Sequence, residues 1–70
     1  MMKEELLEKI AEILEVDNIV GSEELMSFDE WDSLTALSII ALMDSDYGKL
    51  LTNDQIKGFK TINDIVEFAL

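Results

Sequence analysis

The stretch Asp32-Ser33-Leu34-Thr35-Ala36-Leu37-Ser38-Ile39-Ile40-Ala41-Leu42-Met43-Asp44-Ser45-Asp46-Tyr47-Gly48 decides how this chain folds. Asp and Ser are preferred helix N-caps, and a glycine after a helix readily takes the left-handed capping conformation. The spacing therefore predicts a helix from Asp32 or Ser33 to about Tyr47, closed by Gly48. Its apolar residues exceed a single stripe. Such a helix is buried on more than one face, or keeps apolar surface for a ligand or partner. At its start, the Ser33 hydroxyl should be exposed where backbone N–H groups and the helix dipole favour an anion. In a chain with no Cys and no His, that hydroxyl is almost the only candidate for covalent chemistry.

Upstream, from about Lys3 to Glu15, Leu6, Ile10, Ile13 and Leu14 recur at helical spacing with glutamates between them, which predicts an amphipathic first helix. The period is lost from Val16 to Trp31. That predicts a long connection, pinned to the core by Ile19, Leu25, Phe28 and Trp31. Downstream, Thr52-Asn53-Asp54-Gln55 has capping-box spacing and should open a short helix ending near Gly58. Thr61-Ile62-Asn63-Asp64 opens a last helix with Ile62, Ile65, Val66 and Phe68 on its inner side. No period-two pattern competes. The expectation is an all-α fold: one domain over residues 1–70, a small four-helix bundle with three main helices, one short helix and a long first loop.

Seventy residues lie near the size where one core is barely sufficient, yet 49% hydrophobic content argues against disorder. No apolar run reaches about 18 residues, so no membrane span is expected. The start Met1-Met2-Lys3-Glu4-Glu5 does not read as a signal or transit peptide, and zero Cys fits a cytoplasmic protein. Sixteen acids against five lysines give a net charge of −11, and no basic residue lies between Lys9 and Lys49. Such a field repels nucleic acid and anionic membranes and steers the chain toward basic protein surfaces.

Without His or Cys, the common nucleophilic triads and zinc sites are absent, and no glycine-rich phosphate loop occurs. Intrinsic catalysis and a dedicated metal site are not expected. Read from Asp44, a calcium loop would need an acid or amide, a Gly and a Glu where the chain has Gly48, Lys49 and Gln55. Taken alone, Asp32-Ser33-Leu34 is equally an ordinary N-cap.

The whole arrangement resembles the acyl carrier protein family: an amphipathic helix, a pinned loop, Asp32-Ser33-Leu34 opening an apolar helix, then two short helices. Leu37, Leu42, Met43, Asp44, Asp46, Tyr47, Leu51, Ile56, Thr61 and Ile62 extend the likeness. The resemblance implies that a phosphopantetheinyl transferase attaches 4'-phosphopantetheine from coenzyme A to Ser33. The arm's thiol would then carry acyl groups as thioesters for fatty-acid-related or specialised biosynthesis. It further implies that Asp32, Leu34 and Thr35 flank the attachment site, and that Leu37, Ile40, Ala41, Phe59, Ile62 and Val66 could line an acyl pocket. Trp31, Asp44 and Asp46 are candidate docking residues for acyl-transferring or synthase enzymes with basic surfaces. A bacterial, free-standing, monomeric carrier is the expected form. The chain departs from typical fatty-acid carriers at Thr35 and Ser38, where acids are usual, and at Thr52, where Pro is common. A peptidyl or D-alanyl carrier, or an acidic adaptor without covalent chemistry, are the alternatives.

Overall fold

The computed structural model describes residues 2–70. Four helices follow in order: α1 (Met2–Ile13), α2 (Ser33–Tyr47), α3 (Asn53–Lys57) and α4 (Ile62–Ala69). α1 packs on α2 and α4, and α2 packs on α3. Among the described residues no strand forms, and one isolated antiparallel bridge joins Glu24 to Thr61. The all-α bundle anticipated above is what folds. No helix among the described residues is long and apolar enough to cross a membrane.

The core assembles from the apolar stripe of each helix. Leu6, Ile10 and Leu14 meet Ile39 and Met43 of α2 and Ile62, Ile65 and Val66 of α4, with no buried polar side chain among the described residues. Leu51 and Ile56 close the α3 side.

Helix ends follow local chemistry. α1 stops at Ile13, two residues before the expected Glu15, because Glu15 takes a left-handed φ of 58°. Its N–H donates to the Glu12 carbonyl at 3.2 Å and that of Val16 to Ala11 at 3.0 Å, a Schellman ending without glycine. α2 ends as anticipated on Gly48 at φ 63°, and the N–H groups of Gly48 and Lys49 converge on the Met43 carbonyl. At α3, Gln55 N–H donates to Thr52 Oγ1 at 3.2 Å and Thr52 N–H returns to Gln55 Oε1 at 3.0 Å. At α4, Asp64 accepts from the backbone N–H groups of Lys60 at 2.7 Å and Thr61 at 3.1 Å. Those two donors hold its carboxyl below the ordinary aspartate value.

The long first connection is more ordered than its sequence suggests. Ile19 and Leu25 are buried, Phe28 and Trp31 are half-buried against the core, and Leu25–Ser27 form one 3-10 turn. Three backbone hydrogen bonds fasten it to the start of α4: Leu25 N–H to Lys60 O at 2.8 Å, Ile62 N–H to Glu23 O at 3.0 Å, and Asn63 N–H to Gly21 O at 2.8 Å. This tie carries the 3-10 turn over toward the head of α2.

Candidate functional site

Asp32 precedes α2 in extended conformation, at φ −150°. Its Oδ1 accepts from the N–H groups of Leu34 and Thr35, both at 3.0 Å. Thr35 completes the box: its Oγ1 accepts from Asp32 N–H at 2.9 Å and lies 2.9 Å from the Glu30 carbonyl oxygen, to which it donates. A threonine thus fills the place a glutamate usually takes. Ser33, the first residue of the helix, is exposed, and these capping bonds run around its hydroxyl rather than through it.

The first half of α2 carries no charge, and the exposed acids of the helix, Asp44 and Asp46, stand at its far end. Thr35 is engaged by the cap, and the Ser38 hydroxyl donates back to the Leu34 carbonyl at 3.1 Å. What α2 shows to solvent instead is apolar: Leu34 is 72% exposed and Leu37 53%, with Met26 of the 3-10 turn 83% exposed.

Beside Ser33 lies a cavity of about 780 Å³, bounded by the 3-10 turn, the first half of α2, α3 and the α3–α4 connection. Met26, Trp31, Ala36, Leu37, Ile56 and Phe59 make its apolar wall. Phe59 is braced by Phe68 of α4, ring centroids 6.0 Å apart and tilted 54°. Asp32, Ser33, Glu24, Asn53, Lys57 and Lys60 supply its polar lining.

Of the six acyl-pocket candidates, Leu37 and Phe59 line this cavity. Ile40 is half-buried against the core and Ala41 faces solvent, while Ile62 and Val66 are sealed in the core between helices. Periodicity could not separate these cases, because all six occupy helical or near-helical apolar positions. Met26, Asn53, Ile56, Lys57 and Lys60 join the site without any local signal, since only tertiary folding brings the first loop and α3 to the head of α2.

The docking candidates divide in the same way. Trp31 is half-buried and forms part of the cavity wall, and Asp44 is exposed. Asp46 is paired with Lys9 at 2.7 Å, with the lysine Nζ also 5.7 Å from the Tyr47 ring centroid. The hydrogen bond from Lys9, then that from Ser45, lowers the Asp46 carboxyl, and the same contact raises Lys9. On the other side of the cap, hydrogen bonding to Glu15 and then its like charge raise the Glu30 carboxyl above the ordinary glutamate value.

In this small helical bundle Ser33 presents an exposed hydroxyl at the head of α2. The model of the phosphopantetheine attachment-site family matches residues 4–69, and the chain belongs to that family. No curated protein and no solved structure gives a significant match. Domains of this family are carrier domains and sites of covalent 4'-phosphopantetheine attachment, so the chain is a phosphopantetheine-dependent carrier domain. Carrier domains in general meet phosphopantetheinyl transferases and synthases.

Proposed function

We propose that Ser33 carries the arm and that the protein is an acyl carrier of a specialised biosynthetic pathway, working in the cytoplasm. The observation that carries this reading is the exposed Ser33 hydroxyl on the first turn of α2, outside the capping network and on the wall of an amphipathic cavity. The residues present fit the group: an accessible nucleophilic oxygen, the positive end of a helix, and two lysines across the cavity. When attached, the arm supplies a terminal thiol that holds acyl cargo as a thioester, a function the chain's own side chains lack.

The neighbours of Ser33 have distinct duties. Asp32 uses Oδ1 to hold the first turn, which fixes where the serine points, and leaves its Oδ2 without a hydrogen bond among the described residues. Thr35 locks the backbone of that turn from the other side. Leu34 offers exposed apolar surface for an enzyme to grip. The neutral, apolar first half of α2 supports a partner other than the basic clamp that reads an acidic carrier helix, and hence a specialised pathway.

The test is direct. Incubation with coenzyme A and a broad-specificity transferase should add one phosphopantetheine mass to the wild type and none to Ser33→Ala. An unmodified wild type, or a modified Ser33→Ala, overturns the assignment.

A further inference from the structure

Resting on Ser33 as the attachment point, we infer that the cavity beside it is the docking place of the arm itself rather than of the cargo at its end. The argument begins with charge. A phosphodiester on Ser33 is an anion introduced into a chain of net charge −11, immediately beside Asp32. Of the chain's five lysines, two line this cavity, Lys57 and Lys60. Glu24 and Asp32 line it too, so without the lysines the phosphate would face carboxylates alone. The cations stand where the arm's charge needs them.

The wall supplies the second part. Beyond its phosphate the arm carries a geminal pair of methyls, a hydroxyl, two amides and the terminal thiol, an amphipathic chain. Trp31, Leu37, Ile56 and Phe59 present apolar surface for the methyls, and Asn53 offers a side-chain amide at the polar edge. The volume of about 780 Å³ lies within the range of roughly 300–1,000 Å³ typical of small-ligand sites.

The third part is what the cavity does not reach. Ile62 and Val66, two of the acyl-pocket candidates, are buried in the core. Trp31, Ile56 and Phe59 line the open volume, and neither Ile62 nor Val66 does. A tethered occupant also needs little intrinsic affinity, because attachment through a short flexible link gives an effective concentration on the order of millimolar. An acyl cargo would share the tether and the apolar wall, but only the arm brings an anion for Lys57 and Lys60 together with amides for the polar edge.

The chain carries its own reporter, since Trp31 is its single tryptophan and lies in the cavity wall. Protein should be converted fully by transferase and coenzyme A, with conversion checked by mass, and compared with unmodified protein at low salt. Docking predicts reduced acrylamide quenching of Trp31 after modification, and nuclear Overhauser contacts between the arm's methyl protons and the Trp31 indole or Met26 methyl. Fully modified Lys57→Gln/Lys60→Gln protein should lose the quenching difference. Failure to gain mass would refute Ser33 attachment, a separate matter. Full conversion with unchanged Trp31 quenching and no contacts would show the arm free in solvent and overturn the inference, as would a quenching difference that survives loss of both lysines.

Discussion

Lys9 of α1 reaches Asp46 at the far end of α2, Nζ to Oδ2 at 2.7 Å, in the one ion pair found among the described residues. Two helices far apart in sequence are stapled there, and one of the acids marked for partner docking is already occupied.

That contact has a definite pH signature. The Asp46 carboxyl is lowered in the folded state, so its contribution is present above the ordinary aspartate range and is lost as pH falls through the lowered value. Lys9 is raised, so its contribution is present below the ordinary lysine value and is lost as pH rises through the raised one. Lys9→Gln should therefore lower Tm at neutral pH and low salt. The gap should close at both pH extremes and narrow at high salt, as expected of an exposed pair. A Tm difference constant across pH would mean that the lysine acts only through packing.

Glu15 and Glu30 carry the opposite sign. Because the folded Glu30 carboxyl is raised, its contribution disfavours folding at neutral pH and fades as pH falls through the carboxylate range. Glu15→Gln should raise Tm at neutral pH by removing the like charge. The gain should fade on acidification into the carboxylate range. Thermal melts of both proteins across that range decide it: a gain that persists in acid contradicts the repulsion.

A third expectation concerns Gly21, where a Cβ would stand 2.1 Å from Asn63 Oδ1 and 2.7 Å from its Cγ. Overpacking of that kind costs about 1–3 kcal/mol, so Gly21→Ala should destabilise even though alanine stiffens the unfolded chain. In a domain of this size each kcal/mol moves Tm by roughly 4–8 °C. Adding Asn63→Ala removes the clashing atoms, and the double variant should recover much of the loss. Simple additivity of the two single changes in a double-mutant cycle would locate the strain elsewhere.

These contacts also mark how far the sequence could be read. The helices were legible because their ends are local: Thr52 with Gln55, Thr61 with Asp64, and Gly48 behind Tyr47 all declare themselves within four residues. The end of α1 was misplaced by two residues because a glutamate, not a glycine, takes the left-handed turn at position 15. The 3-10 turn at Leu25–Ser27 had no period to betray it, being held by backbone bonds to the other half of the chain. Ser33 stood out through its place at a helix head. The cavity beside it did not, since Met26, Lys57 and Lys60 share no spacing with α2. Ile62 and Val66 look like Leu37 in sequence; only packing separates core from cavity wall.

The hydrogen bonds from Gly21, Glu23 and Leu25 to Lys60, Ile62 and Asn63 set an order of events during synthesis. On a ribosome the first two helices emerge well before the partners that hold the loop in place. Ser33 is then already outside, but the wall that faces it is not yet built. Until residue 63 is free of the exit tunnel, those three bonds cannot all form. The ground beside Ser33 is thereby among the last parts of the molecule to be laid.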